Sequence, residues 1–319
     1  MGMLVEGRWE PGDVRTPRAD GAFVRMQSAF RRTVTADGSS GFRLDAGRYH
    51  LIVAMACPWA HRTLIFRKLL GLEDAIGVSV VSPLMLDQGW SFDAPDPVTG
   101  ATRLYEVYQR TDPRYTGKVT VPVLWDRQTQ TIVNNESSEI IRMLSREFAP
   151  LCRTPFDFYP EALRGEIDAI NARVYETVNN GVYRSGFATT QAAYESAVNA
   201  LFDSLAWLEE RLSMRRYLLG ERITEADWRL FTTLIRFDAV YYGHFKCNRR
   251  HVYEHPSLWG FARELYQWPG VAETVDFGAI KRHYYGSHRT INPSGIVPVG
   301  PELDLANAHG REVLDARVR

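Results

Sequence analysis

The first dense block of apolar residues falls at 49–56, YHLIVAMA, short enough for a strand and too uniformly apolar for one facing water. From 59 to 70 the spacing changes: Leu64, Ile65 and Leu69 recur as on one side of a helix. A second apolar run at 76–81 then reads as the strand that follows a crossover helix, which makes a parallel pair with the first. Residues 121–125 and 131–133 form two further short strands around a polar turn at 126–130, an antiparallel hairpin. A helix over 136–148 closes this βαβ-ββα series.

Beyond Pro160 only the helical period remains. Leu163, Ile167, Ile170 and Val174 make one stripe, Tyr194, Val198, Leu201, Leu205, Leu208 and Leu212 a second, and Leu230, Leu234, Phe237 and Tyr241 a third. Thr224 with Asp227 three residues on is a capping-box signal for the start of that third helix, with Asp in place of the usual Glu. The pattern therefore divides the chain into an α/β domain at 49–150 and an all-helical domain at 160–285. An arm at 1–48 and a Pro- and Gly-rich tail at 286–319 lack sustained periodicity, and no catalysis is expected in the arm. Residues 83–118 are equally aperiodic, and a loop that long inside a compact domain is expected to border an active site.

Charge narrows the partners. Lys plus Arg is 38 and Asp plus Glu is 38, so no bulk field favours nucleic acid or an anionic membrane. Small molecules or proteins remain as the expected partners. The first twenty residues carry charge where a signal peptide needs an apolar stretch, and no run has the length that crosses a bilayer, so a cytoplasmic location is expected. Cys57, Cys152 and Cys247 are few, odd in number and far apart, which fits neither a disulfide framework nor a metal cage.

Cys57 is the residue with chemistry in its position. It stands between the first strand and Pro58, a residue favoured at the first position of a helix. A thiol there faces unpaired amide N–H groups and the positive end of the helix dipole, both of which favour the thiolate. A redox pair would need a second thiol at position 60, where this chain has Ala60. A lone thiolate that attacks sulfur is left as a mixed disulfide, and clearing it takes an external thiol, in a cytosol glutathione. Neither a metal nor a nucleotide is needed. Cys152 and Cys247 are expected to be structural.

Two further segments fit a peptide thiol. Pro122 opens the strand after Val121, either as a simple strand-initiating proline or with a cis bond that leaves the Val121 backbone to pair with a ligand's amides. Asn134-Asn135-Glu136-Ser137-Ser138 opens a helix, where hydroxyls and amides can hold a carboxylate while Glu136 faces an amine, or where the same residues simply cap the helix.

With CPWA, VPV and NNES in one domain and TEAD in the next, the chain resembles the glutathione transferases, with a thioredoxin-like domain followed by an all-helical one. The segments GWSFD, TIVNNESSEIIRM, VYETVNNGVYRSGFA, FTTLIRFDAVYYGHFKCN and HYYGSHRTINPSGIVPVGP extend the resemblance to the glutathionyl-hydroquinone reductases, or Xi class, over nearly the whole chain. That resemblance implies a homodimer and a cycle that consumes two glutathiones. It makes Cys57 the nucleophile and assigns Trp90, Val121, Glu136 and Ser137 to the glutathione site. Tyr183, Tyr241 and Tyr284 resemble the tyrosines of the aromatic pocket, with Tyr183 and Tyr284 as hydrogen-bond or proton donors to the departing hydroquinone. A basic residue is expected at the glycine carboxylate, with Arg103, Arg110 and Lys118 all in the right segment. Two other readings stay open: a general thiol transferase or dehydroascorbate reductase built on the same Cys57 cycle, and a non-catalytic glutathione-binding protein.

Overall fold

The computed structural model describes residues 2–12 and 19–314. Its contacts divide into two units: the first takes in residues 2–12, Met26–Phe156 and Thr274–Ser287, the second residues 19–25, 157–273 and 288–314.

The first unit opens with a small hairpin, β1 (Gly2–Val5) against β2 (Arg8–Pro11). Its core is a four-stranded mixed sheet of β3 (Tyr49–Val53), β4 (Gly77–Val80), β5 (Val123–Asp126) and β6 (Thr131–Asn134), in the order β4-β3-β5-β6. β3 and β4 run parallel, Leu51 opposite Val78, and β3 and β5 antiparallel, Leu51 opposite Leu124. Every residue of β3 is buried, as a mostly apolar strand covered on both faces requires, and its one polar side chain besides the Tyr49 hydroxyl, His50, is satisfied by Ser79 at 2.8 Å. Each fully buried Leu or Ile there contributes about 1.5–3 kcal/mol from area removed from water.

Two helices pack together in this unit, α1 (Pro58–Leu69), which crosses from β3 to β4, and α3 (Ser137–Arg146), which follows β6. The aperiodic segment between β4 and β5 contains a helix that the pattern did not predict, α2 (Leu104–Thr111). It is eight residues long and buries only Leu104, Val107 and Tyr108, too few for a period to stand out. The loop ahead of it is fastened to the sheet: Asp96 accepts from the Ser79 hydroxyl on β4, whose oxygen also lies 2.8 Å from His50 Nε2 on β3, and from the Thr99 N–H at 2.7 Å.

The sequence pattern carried the helical domain on to residue 285, whereas the helix Phe277–Ser287 groups with the first unit. Its bonds explain why. His283 Nδ1 lies 2.9 Å from the Pro83 carbonyl, Met85 N–H donates to Ser287 Oγ at 3.0 Å, and His61 on α1 bonds Thr274 at 2.8 Å.

The second unit is helical: α4 (Arg164–Val174), α5 (Gly181–Gly186), α6 (Gln191–Met214), α7 (Glu225–Arg236), the single turn α8 (Tyr242–His244) and α9 (Pro256–Tyr266). Ile167, Ile170, Val198, Leu201, Leu205, Leu208 and Leu212 of the predicted stripes are buried. The capping box forms as expected, with Asp227 accepting from the Thr224 N–H at 2.8 Å and its hydroxyl at 3.0 Å. Two π-helical turns, Tyr175–Asn179 and Phe237–Tyr241, interrupt the α period ahead of Tyr183 and at Tyr241. Asn179 in the first is tied to α7, donating to Arg229 O at 3.1 Å and to Thr233 Oγ1 at 2.8 Å. No helix among the described residues is long and apolar enough to cross a membrane.

Candidate functional site

Cys57 is the N-cap of α1, with extended backbone (φ −78°, ψ 121°) and Pro58 as the first helical residue. Its carbonyl starts the helix by accepting from His61 N–H at 2.9 Å, and its own N–H donates to Ala54 O at 3.0 Å. Cys57 as a residue is 9% exposed, and its thiol donates to the Val121 carbonyl across 3.5 Å. Val121–Pro122 is a cis bond, so of the two options for that proline the structure has the cis form. Sulfur and Val121 backbone thus lie side by side, one at a helix start and the other at the entry to β5.

At the start of α3, Glu136 is the N-cap. Its carboxylate accepts from Ser138 N–H at 3.1 Å, Ser138 Oγ at 2.9 Å and, from far upstream, Ser28 Oγ at 3.0 Å. Capping is therefore present, by the side chain that was also expected to face an amine. Ser137 is buried and accepts from Arg62 Nη1 at 3.4 Å. Arg62, itself buried on α1, lies over the Trp59 ring at 4.6 Å.

Trp90 is nearly buried and stacks on His283, ring centroids 4.8 Å apart. Tyr284, next in sequence, is fully enclosed with its ring edge-on to His283. Cys57, Trp90, Val121, Glu136, Ser137 and Tyr284 all belong to the first unit. Of the basic candidates, Arg110 donates to Gln130 at 3.2 Å and Arg103 to the Thr102 carbonyl at 2.9 Å, so both donate within their own neighbourhood.

Tyr183 and Tyr241 belong to the helical unit. Tyr241 points inward and is fully buried, while its neighbour Tyr242 stacks on His251 at 3.5 Å. Tyr183 is half-buried on α5, with Phe245 at 5.4 Å, Tyr241 at 6.0 Å and Phe187 at 6.1 Å between ring centroids. A Cβ at Gly186 would come within 2.2 Å of the Phe245 ring, so glycine is what lets this aromatic group close. Arg25, in the arm where no catalysis was expected, lies 4.6 Å over the Tyr183 ring.

The other thiols differ from Cys57 in their surroundings. Burial pushes Cys152 up to about 11 and Cys247 up to about 12, where neither is a nucleophile at neutral pH. Ser28, Arg62 and His283 were missed from the sequence. His283 had a signal in adjoining Tyr284, whereas Ser28 and Arg62 had none.

A thiol at the first helix of a thioredoxin-like sheet, followed by an all-helical unit, is the build of a glutathione transferase. Family profiles agree: the glutathione S-transferase N-terminal domain matches residues 56–147 and the C-terminal domain residues 191–264. The chain is 53% identical over 325 residues to the glutathionyl-hydroquinone reductase YqjG of Escherichia coli, covering 98% of this chain and 99% of that one. It is 53% identical over 310 residues to the glutathionyl-hydroquinone reductase PcpF of Sphingobium chlorophenolicum, covering 96% and 98%. Among solved structures, the glutathione-bound YqjG superposes with a TM-score of 0.89 at 51% identity over 98% of this chain and 99% of that one. The Xi-class transferase of Natrialba magadii gives 0.93 at 47% identity over 98% of each. The chain belongs to the glutathionyl-hydroquinone reductases, the Xi class of the glutathione transferase family.

Proposed function

We propose that this protein removes glutathione from glutathionyl-hydroquinones, with Cys57 as the nucleophile. The observation that carries the reading is Cys57 at the helix start with Ala60 where a resolving thiol would be, in a chain so similar over its full length to two reductases of that name.

The chemistry balances in two steps. The Cys57 thiolate attacks the sulfur of the conjugate, the bond from sulfur to the aromatic carbon breaks, and that carbon takes its electron pair and a proton. Hydroquinone leaves, and Cys57 is joined to glutathione. A second glutathione thiolate then attacks that disulfide, releasing oxidised glutathione and the Cys57 thiolate. Over both steps the aromatic carbon is reduced, and the conjugate's glutathionyl sulfur and the sulfur of one free glutathione leave together as oxidised glutathione.

In this reading the Val121 backbone pairs with the peptide of glutathione beside the Cys57 sulfur, Ser137 and the start of α3 hold the γ-glutamyl carboxylate, Glu136 faces the amine, and Trp90 flanks the ligand. Tyr183 and Tyr284 donate to the departing hydroquinone, and Tyr241 helps form the aromatic pocket. The working form is a cytoplasmic homodimer, checked by light scattering on the purified protein and by fractionation.

A paired assay tests the reading: wild type and Cys57→Ala on a glutathionyl-hydroquinone with excess glutathione, following hydroquinone and oxidised glutathione by chromatography. Equal yields of both, lost in the variant, support it. Folded wild type that releases no hydroquinone yet reduces small disulfides or dehydroascorbate would replace it with the general thiol transferase.

A further inference from the structure

The described part of the N-terminal arm includes a strap, residues 20–25, that runs along α5 in the helical unit. Its first end is fixed at the turn into α6: the Asp20 carbonyl accepts from Thr190 Oγ1 at 2.8 Å, and the Gly21 carbonyl from Thr189 N–H at 3.0 Å. Phe23 then packs on Phe187 at 5.4 Å. At its far end Arg25 donates from Nε to Asn180 Oδ1 at 2.6 Å and lays its guanidinium over the Tyr183 ring at 4.6 Å. Asn180 precedes Tyr183 by three residues, one helical turn, so one side chain grips two successive turns at the end of the π-helical stretch.

Resting on the reading of Tyr183 as a donor to the departing hydroquinone, we propose that Arg25 is a positioning residue for it, fixing the ring plane in which the hydroxyl is presented. The physical grounds are geometric. A tyrosine O–H lies close to its ring plane, so the direction of donation follows the ring. Phe187, Tyr241 and Phe245 meet the ring at tilted or edge-on angles of 37°, 59° and 61°, while the Arg25 guanidinium, which also lies 5.6 Å over the Phe23 ring, sits over its face, a contact that is lost if the ring turns edge-on to the cation. The bond from Arg25 Nε to Asn180 then stops the guanidinium from following a rotating ring. Presentation of a proton donor matters in the transition state more than in binding, because the carbon becomes basic only as the bond to sulfur breaks. Loss of Arg25 should therefore fall on kcat.

The test uses the full chain and a glutathionyl-hydroquinone, with Arg25→Met, Arg25→Lys, Tyr183→Phe and the double variant Arg25→Met/Tyr183→Phe. Arg25→Met is expected to lower kcat about tenfold, with KM for the conjugate within about twofold. Arg25→Lys, which keeps the cation but not the planar guanidinium that stacks on the ring while its Nε bonds Asn180, restores the rate only in part, and the double variant is no slower than Tyr183→Phe alone. A double variant that multiplies the two losses, or a KM effect without a kcat effect, overturns the proposal while leaving Tyr183 as a donor. A Tyr183→Phe enzyme as fast as wild type would instead overturn the donor reading. Should Arg25→Met fail to fold, Asn180→Ala, which removes the acceptor at the other end of the guanidinium, is measured against Tyr183→Phe in the same way.

Discussion

The Cys57 thiol donates to the main-chain carbonyl of Val121 across 3.5 Å, so the sulfur at the start of α1 and the backbone at the entry to β5 form one local arrangement. In the proposed cycle a glutathione paired with that backbone carries its own sulfur to Cys57. The contact joins residues 64 positions apart, and it is made by the thiol that sits at a helix N-terminus.

The three cysteines should therefore separate in a labelling experiment. Burial pushes the Cys247 thiol up to about 12 and the Cys152 thiol up to about 11, so neither holds more than a trace of thiolate at pH 7. Iodoacetamide at pH 7 followed by peptide mass spectrometry should find Cys57 modified first and the other two unmodified in the folded protein. Glutathione disulfide should protect only Cys57. Equal labelling of Cys152 would remove the distinction on which a single nucleophile rests.

Glu136 carries both a structural load and a proposed ligand role, and two variants pull them apart. Glu136→Ala removes the acceptor of Ser138 N–H and of two hydroxyls, which should cost about 0.5–2 kcal/mol of stability. Glu136→Gln keeps a carbonyl for the cap while losing the charge proposed to face the amine of glutathione. The expected result is a lower melting temperature for the alanine variant, and for glutamine a raised KM for glutathione with a smaller change in melting. A glutamine variant with unchanged KM would leave Glu136 with the capping role alone.

Asp227 provides a pH-dependent test of the helical unit. Burial raises its carboxyl from 3.8 to about 6, against the opposing effect of the N–H donors of Leu218 and Thr224. A carboxyl raised on folding binds its proton more tightly in the native state, so its favourable contribution is complete below pH 3.8 and is lost as pH rises through about 6. Asp227→Asn cannot titrate, and its amide cannot accept from both N–H groups, so it should be less stable by about 1–3 kcal/mol. The gap between wild type and variant should narrow as pH rises from 4 to 6.5, read by urea unfolding. A gap that widens over that range would show that the carboxyl is lowered on folding.

How far the sequence showed these features depends on whether their cause is local. The start of α1 was legible because Cys57 and Pro58 adjoin a dense apolar strand, and the start of α7 because Thr224 and Asp227 lie within one turn of each other. The parallel pair β3-β4 followed from the crossover helix and the hairpin β5-β6 from the short turn between its strands, whereas the antiparallel pairing of β3 with β5 links residues about 70 positions apart and has no local signal. α2 was hidden by its shortness, and the two π-helical turns by a spacing that resembles neither the strand nor the α period. Arg25 and Ser28 could not be found at all, because their partners Asn180 and Glu136 lie 155 and 108 positions away, and nothing in the arm's own composition marks these contacts. Tyr241 rather than Tyr242 faces inward, a choice set by the π-helical turn that ends at Tyr241.

The C-terminal tail, read from sequence as an aperiodic wrapping, ends its described part in a strong anchor. Arg311 is buried and donates to four backbone carbonyls: Leu212 and Ser257 at 3.2 Å, Arg215 at 2.7 Å and Arg216 at 2.6 Å. Leu212 and Arg215 are at the end of α6, where carbonyls have no partner within the helix and a cation is favoured. Glu264, 3.3 Å from Arg311 Nε, balances the buried charge and keeps Arg216 and Tyr217 as further partners. Arg311→Met fills the same volume but leaves those carbonyls buried without a donor, at a cost of about 3 kcal/mol. The expected variant melts several degrees lower, and limited proteolysis cuts its tail before the helical unit, while wild type resists at both places. If the variant melted with wild type and its tail were cut no faster, Arg311 would be a bystander and the tail would be held by its other contacts, such as those of Asp304 with Trp259 and Arg263.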